Sequence, residues 1–146
     1  MNTRRNFIKA MAAALALPLV ARAQPREVIL NYKGPACDCC GEWEKHMRAN
    51  GFRVESRKVD DMDAIKRRYG VRDDLVSCHT ALVGGYVIEG HVPASDVRRL
   101  LKEKSKVIGL TIPGMPASAP GMDGKPHKPY EVLAFDAGRA WVFERH

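Results

Sequence analysis

The chain has 146 residues, of which 45% are hydrophobic, and it carries a formal net charge of +7. This length and composition predict one globular domain and exclude a disordered chain. Residues 1–23 hold four basic and no acidic residues, so the remainder has 20 basic and 17 acidic residues and a net charge of +3. Most of the charge that would favour nucleic acid therefore lies in that segment, and we expect no nucleic-acid partner.

Residues 1–23 have the order of an export signal. A basic start is followed by the apolar run "AMAAALALPLV" and the small-residue exit "ARA" before Gln24. The run is too short, and Pro18 too central, for a membrane span, so we predict a cleaved signal rather than a retained anchor. The opening "TRRNFIK" resembles a twin-arginine signal. We therefore expect a periplasmic protein whose single mature domain is residues 24–146, with no stable membrane span.

The first half of the mature chain predicts a βαβα unit. "EVILNY" (27–32) is a short apolar strand, and a helical pattern then runs from about Cys39 to an Asn-Gly stop. "FRVESRKV" (52–59) alternates as a half-buried strand does, and "DDMDAIKRRYG" (60–70) has acids first and bases last, as a helix favours. Three cysteines consequently lie on the turn between the first strand and the first helix.

The second half predicts a ββα unit and two additions. "SCHTALVGGYVIEGHVP" (77–93) contains two strands about a Gly-Gly hairpin turn, and "ASDVRRLLKEK" (94–104) has helical spacing. Residues 107–129, with five prolines and two "PGM" segments, predict a long irregular loop. The chain then returns to strand character in a terminal hairpin across Gly138.

The order βαβα then ββα predicts a thioredoxin-like α/β fold with an added Pro/Gly loop and a C-terminal β-hairpin. In that fold the catalytic cysteines occupy the turn after the first strand, which is where this chain has its cysteine cluster. Many small α/β domains share parts of this order, so the position of the cysteines is the stronger half of the argument.

The stretch "GPACDCCGEW" contains Cys37, Cys39 and Cys40. The C-x-x-C spacing of the outer pair suits a disulfide or thiol exchange, and a helix N-terminus stabilises the thiolates that either function needs. Cys39 offers an oxidoreductase only competing pairings, whereas three thiolates on one turn are useful bridging ligands for a soft metal. The pattern therefore favours a metal site, although paired disulfides are the default in an oxidising periplasm.

The fourth cysteine, Cys78, precedes the third predicted strand and is followed by His79. In a thioredoxin fold this loop lies against the C-x-x-C turn and normally carries a cis-proline. The fold therefore predicts that Cys78 and His79 reach the cluster from across the site, although they lie about forty residues away in sequence.

Other soft or nitrogen donors lie near these segments. His46 is at the edge of the helical stripe formed by the cysteines, Trp43 and Met47, and it is a candidate ligand, with a half-exposed role as the alternative. Met115 and Met122 lie in the Pro/Gly loop, where thioethers suit Cu(I) or else cap hydrophobic surface. Trp43 and Met47 are expected in the core.

The donor set favours copper. Structural zinc usually uses two separated cysteine pairs, so that the ligands diverge tetrahedrally, whereas C-x-C-C delivers three sulfurs from one side. Bridging thiolates in a small Cu(I) cluster suit that crowding, and the histidines and methionines fit copper as well. The tight spacing and the exported location argue against an iron–sulfur cluster. We therefore expect a multinuclear copper site, Cu(I) or Cu(II).

The segments "NYKGPACDCCGEWEKHMRANGF", "SCHTALVGGYVIEGHVPASDVRRLL" and "GLTIPGMPASAPGM" resemble the CopG-like family of periplasmic metal-binding proteins, which is distinct from the ribbon-helix-helix repressors of the same name. The resemblance covers nearly all of the mature chain. It implies a thioredoxin-like fold, a part in copper resistance and a cysteine-bridged copper cluster. Carried over by residue, it implies Cys37, Cys39, Cys40 and Cys78 as copper ligands.

The sequence therefore predicts an exported protein that sequesters copper or cycles it between oxidation states, with copper ions and other periplasmic copper-handling proteins as partners. Two alternatives stay open. One is a periplasmic thiol-disulfide oxidoreductase with Cys37 as the attacking thiolate and Cys40 as the resolving thiol. The other is a protein with two structural disulfides, Cys37 to Cys40 and Cys39 to Cys78.

Overall fold

The computed structural model describes residues 27–122 and 124–146, so the predicted export signal, residues 1–23, lies outside the described residues. Within the described part of the chain, strands and helices alternate in this order: β1 Val28–Lys33, α1 Asp38–Ala49, β2 Arg53–Lys58, α2 Met62–Arg68, β3 His79–Val83, β4 Tyr86–Glu89, α3 Ala94–Glu103, β5 Gly109–Thr111, β6 Glu131–Phe135 and β7 Ala140–Arg145. A short 3₁₀ helix, Asp73–Leu75, follows α2. None of the described helices is long and apolar enough to cross a membrane.

The strands form one mixed sheet in the order β2-β1-β3-β4-β5-β6-β7. β1 pairs with β2 in parallel and with β3 antiparallel, and β3 and β4 form the hairpin that the sequence predicts. β6 and β7 form the predicted terminal hairpin. The α/β class and the order βαβα then ββα are confirmed, and the thioredoxin likeness of this core stays a prediction.

The prediction that residues 107–129 are irregular is wrong at the start of this segment, because β5 lies inside it and joins the two hairpins. β5 pairs in parallel with β4 and antiparallel with β6. A Cβ on Gly109 would collide with the Val87 backbone, so this strand needs glycine at its closest approach to β4. A strand of three residues beside a run of prolines has too little alternation to be read from sequence.

The sheet separates two apolar layers because side chains alternate along each strand. Ile88 of β4 belongs to the larger layer, which α1 and α3 cover, and Val87 belongs to the smaller layer on the other face. Trp43 and Met47 are fully buried in the larger layer, as predicted. α1 is therefore held to the sheet by one apolar stripe that begins at Cys40, in the first turn of the helix.

The side of α1 opposite this stripe carries a buried charge, Glu44. Glu44 is buried and accepts hydrogen bonds from Asn31 (2.8 Å) and Ser56 (2.6 Å), and it pairs with Lys33 at 3.1 Å. Burial disfavours the charged carboxylate, but the bonds from Ser56, Asn31 and Lys33 outweigh it, so the pKa of Glu44 lies below its usual value. A polar network thus ties α1 to β1 and β2.

A second buried charge lies on the other side of the sheet. Lys66 of α2 forms an ion pair with Glu89 of β4, whose carboxylate also accepts a bond from the Thr80 hydroxyl at 2.6 Å. The backbone N–H of Ser77 donates to the same carboxylate at 2.6 Å. Burial raises the pKa of Glu89 although Lys66 acts in the opposite direction. This pair therefore anchors the residue directly before Cys78.

Replacing Lys66 with methionine leaves the Glu89 carboxyl buried without its cation. We expect the free energy of unfolding, measured by urea denaturation at pH 8, to fall by about 3–5 kcal/mol. Loss of the cation raises the folded-state pKa of Glu89 further. The Glu89 carboxylate of the folded variant therefore binds a proton more readily than it does in the unfolded chain, so the loss of stability relative to the wild type is smaller at pH 5. The matched control is Lys45→Met, which breaks an exposed pair with Glu42 and should change stability by less than about 0.5 kcal/mol. Equal losses in the two variants would contradict the structural role of the buried pair.

Candidate metal centre

Three cysteines lie at the N-terminus of α1, as predicted. Cys37 is the residue that caps the helix, and Cys39 and Cys40 are in its first turn. The free backbone N–H groups and the helix dipole at this end favour negative charge on sulfur. Cys37 and Cys39 are half-buried and Cys40 is buried, so the three sulfurs of this turn range from partly exposed to buried.

The sheet brings the fourth cysteine to this turn. Cys78 directly precedes β3, which lies beside β1 in the sheet, and its carbonyl oxygen is 3.9 Å from the Cys40 sulfur. The ligand atoms of Cys37, Cys39, Cys40 and Cys78 all lie within 4.8 Å of one another. The structure thus gathers the four predicted cysteines into one group, which we call the four-cysteine group.

Within this group, Cys37 and Cys40 form a disulfide with a Cα–Cα distance of 5.4 Å, and Cys39 and Cys78 are free thiols. The alternative with two structural disulfides is therefore wrong in its second pair. The group has two oxidation levels, namely a disulfide plus two thiols, or four thiols after uptake of two electrons and two protons. Only the reduced level offers all four sulfurs to a metal.

The interior of the group is poorly solvated. Burial raises the pKa of the Cys78 thiol to about 12, and the neighbouring Cys39 adds to the shift. A neutral thiol is therefore the resting form of Cys78 in the metal-free protein. Binding a soft metal there displaces the thiol proton, because the thiolate is the ligand.

Two histidines flank Cys78. The Nδ1 atom of His79 is 3.3 Å from the Cys78 sulfur, and the Nε2 atom of His91 is 3.1 Å from the same sulfur. Both rings are buried, and burial lowers the pKa of each imidazole. His79 is placed beside the cluster as the sequence predicts, and together with Cys78 and His91 it forms a second set of donors within 4.8 Å of one another.

Sequence reasoning found no geometric argument for ligation by His91, although a signal was present. The β3–β4 hairpin pairs Thr80 with Glu89 about the two-residue turn Gly84-Gly85. Two further residues along the same register place Cys78 opposite His91. The predicted hairpin therefore already placed these two residues opposite each other.

The remaining predicted donors have other surroundings. The Nε2 atom of His46 accepts the backbone N–H of Ala94, at the start of α3, at 3.1 Å. Met115 is 56% exposed, beside Gly114, whose N–H donates to the Val76 carbonyl at 3.0 Å. Met122 is half-buried and packs against the larger core cluster, which is the alternative that the sequence left open for it. Ligation by these three residues stays a prediction.

The Pro/Gly loop packs directly on α1. A Cβ on Gly121 would lie 2.7 Å from the Trp43 nitrogen and 2.9 Å from the Glu42 carbonyl carbon, and Gly121 has φ +83°. The carbonyl oxygen of Pro120 accepts a hydrogen bond from Nδ1 of His91 at 2.7 Å. The loop is therefore part of the wall of the site, with its backbone pressed against both the cysteine helix and a buried histidine.

Comparison with known proteins agrees with this architecture. The family described as "Protein of unknown function, DUF411" matches residues 75–122, which include Cys78, His91 and most of the Pro/Gly loop. Two solved structures, named copper resistance protein CopG, form 1 and form 2, are 37% identical to this chain with a TM-score of 0.78. The chain belongs to the CopG family. These CopG structures cover 84% of this chain, which covers 99% of form 2 and 98% of form 1. A comparison with curated proteins gives no match.

The contact between Gly121 and α1 gives a prediction for this member of the CopG family. Gly121→Ala adds a Cβ that collides with the Trp43 backbone, and it also strains a left-handed residue. Gly114→Ala is the matched control, because Gly114 has φ +70° but nothing within 4 Å of an added Cβ. We expect urea denaturation to show a loss of about 1–2 kcal/mol for Gly114→Ala. The loss for Gly121→Ala should be larger by about 1–3 kcal/mol. A loop that does not pack on α1 would give equal losses.

Proposed function

We propose that this chain binds copper through the four-cysteine group and serves copper tolerance in the periplasm. The observation that carries the proposal is the convergence of four sulfurs within 4.8 Å from two separate segments of the fold. The CopG relatives, named for copper resistance, supply the choice of metal and the physiological setting. Copper is here the cargo of the protein rather than a resident cofactor.

The donor chemistry fits a soft ion. Three of the four cysteines come from one helix start, and the Cys37 and Cys39 sulfurs are only 3.7 Å apart. Sulfurs crowded on one side suit shared, bridging thiolates better than the diverging ligands of a structural zinc site. Cys78 is half-buried beside two buried histidines, and this poorly solvated position favours a weakly hydrated soft ion such as Cu(I). We therefore infer a multinuclear copper site.

The disulfide makes redox cycling of copper part of the proposal. Two Cu(II) ions accept one electron each from the reduced Cys37 and Cys40 pair, which loses two protons and forms the S–S bond. The products are two Cu(I) ions and the disulfide. An external dithiol returns the two thiols by thiol–disulfide exchange, in which it supplies two electrons and two protons and itself becomes a disulfide. The protein thus has the chemical means both to sequester copper and to change its oxidation state.

The setting of this activity follows from the predicted export signal. A twin-arginine signal in residues 1–23 would deliver the folded domain to the periplasm, where disulfides persist. Other periplasmic copper-handling proteins are the partners that such a role requires, because bound cargo must be passed on.

A thiol-disulfide oxidoreductase is the second candidate, and the Cys37–Cys40 disulfide favours it. The pair lies at a helix N-terminus, with Cys37 half-buried and Cys40 buried. That arrangement gives an accessible attacking sulfur and a protected resolving sulfur. This candidate uses the two disulfide cysteines and leaves Cys78 without a chemical role.

The copper proposal is tested by retention of metal. The chain is reduced anaerobically, given Cu(I) in the presence of a competing chelator, and analysed for copper per chain and for reactive thiols. We expect several copper ions per chain and protection of all four thiols. The oxidised protein, with its disulfide intact, should retain fewer ions, since two sulfurs are unavailable. Because all four cysteines belong to the group, wild-type protein alkylated before loading is the control. Loss of all copper to the chelator, with thiols still reactive, would refute copper binding.

Two substitutions separate the candidates. Cys78→Ser removes a copper ligand but neither redox sulfur, so we expect copper per chain to fall while any reduction of a model disulfide by the metal-free protein is unchanged. Cys37→Ser removes the attacking thiol and should abolish that reductase activity. If Cys78→Ser retains as much copper as the wild type, and the metal-free wild type reduces disulfides in a Cys37-dependent reaction, the oxidoreductase is the better description.

A further inference from the structure

The third cysteine of the turn takes no part in the disulfide, although its sulfur lies against it. The Cys39 thiol is free, and its Sγ atom is 3.7 Å from the Sγ atom of Cys37. Cys78 is a free thiol as well. The four sulfurs lie within 4.8 Å of one another. Two thiols and one disulfide therefore share a space in which thiol–disulfide exchange needs little movement.

The disulfide sulfur that is open to attack is that of Cys37. Cys37 is half-buried at the cap of α1, whereas its partner Cys40 is fully buried. A thiolate breaks a disulfide by bonding to one sulfur and expelling the other. Cys39 contacts Cys37 from within the first turn, where the free N–H groups of the helix start favour negative charge on sulfur. The turn therefore supplies both the nucleophile and the accessible target.

The helix start also permits the bond that this attack forms. Residues two apart in an α-helix have Cα atoms about 5–6 Å apart, within the range of about 4.4–6.8 Å that disulfides span. Cys78 approaches the same turn from a different element, since it directly precedes β3. Cys39 is thus placed between the disulfide, on its own helix, and a second thiol that comes from the sheet.

We propose that Cys39 is the nucleophile of an internal disulfide relay, which ends with the bond between Cys39 and Cys78. In the first step the Cys39 sulfur loses its proton to water and bonds to the Cys37 sulfur. The Cys40 sulfur leaves with the electron pair of the broken bond and takes up a proton. In the second step the Cys78 sulfur loses its proton and bonds to the Cys39 sulfur, and the Cys37 sulfur leaves and is protonated. One disulfide breaks and one forms, so no oxidant or reductant is consumed.

The relay changes which sulfurs are free without changing the oxidation level of the protein. One disulfide and two thiols are present before and after it, but the free thiols become Cys37 and Cys40 in place of Cys39 and Cys78. The exchange itself needs no metal. Its use in copper chemistry rests on the proposed function, because the half-buried Cys37 thiol is then returned before any external dithiol acts.

The test follows Cys78 in the metal-free protein. The fully reduced full chain, kept with a chelator, is given one equivalent of diamide to form one disulfide per chain, and samples are quenched in acid over time. Free thiols are labelled with N-ethylmaleimide and, after reduction, the remaining cysteines with iodoacetamide, so peptide mass spectrometry separates free from bonded sulfurs. We expect Cys78 to pass from free to bonded over about seconds to hours while Cys37 passes from bonded to free. Dilution of the protein should leave the rate unchanged, because the relay lies within one chain.

Two variants identify the attacking sulfur. Cys39→Ser removes the nucleophile and should lower the bonded fraction of Cys78 about tenfold. Asp38→Ser is the matched control, because Asp38 is an exposed neighbour in the same turn and its replacement keeps all four sulfurs. This variant should relay as the wild type does. Equal bonding of Cys78 in Cys39→Ser and in the wild type would exclude Cys39 as the nucleophile.

The outcomes separate the relay from the proposed function. A wild-type chain in which Cys78 stays free at every time refutes the relay and leaves copper binding by four thiols intact. Loss of all copper to a chelator refutes copper binding and leaves the relay intact, because its measurement contains no metal. The wild-type time course is decisive by itself, so a Cys39→Ser chain that fails to fold does not protect the proposal.

Discussion

The hydrogen bond from the Trp43 indole to the Val92 carbonyl, 2.9 Å long and fully buried, is the contact on which the rest of the site depends. Trp43 lies one turn after Cys40, and Val92 directly follows His91. The bond therefore joins the cysteine helix to the end of the β3–β4 hairpin. Its loss would leave an indole N–H and a carbonyl unsatisfied in the core, which costs more than the bond itself contributes. The helix start and the hairpin end are consequently held in one position relative to each other.

Much of this arrangement could be predicted from the sequence, because it follows from short-range periodicity. The order of strands and helices, the Gly-Gly hairpin and the burial of Trp43 and Met47 are all features of local pattern. The approach of Cys78 to the cysteine turn followed from the topology expected for that order. The position of His91 was also implicit in the hairpin register, since residues equidistant from a two-residue turn face each other.

The features that sequence could not supply depend on contacts between distant segments. Glu44 and Lys66 are charged residues at helical positions that look solvent-facing, and partners on neighbouring strands, including Lys33 and Glu89, make their burial tolerable. β5 owes its existence to the edges of β4 and β6 rather than to its own three residues. The disulfide between Cys37 and Cys40, rather than another pairing, is likewise a matter of three-dimensional geometry.

The donors differ in exposure, which sets the order in which a copper ion would meet them in the proposed chemistry. Cys37 and Cys39 are half-buried at the helix start, Cys40 and the two histidines are buried, and Cys78 lies between the two sets. An ion arriving from solvent meets the outer sulfurs first. Among the described residues, Cys78 is the donor that the two sets share, so its sulfur would connect the outer and the inner donors in the proposed chemistry. Formation of the Cys37–Cys40 disulfide withdraws one outer and one inner sulfur together and leaves Cys39 and Cys78 as free thiols, with the two histidines beside Cys78. Oxidation of the pair thereby removes two of the four thiols of the group, whereas the two histidines beside Cys78 take no part in the disulfide.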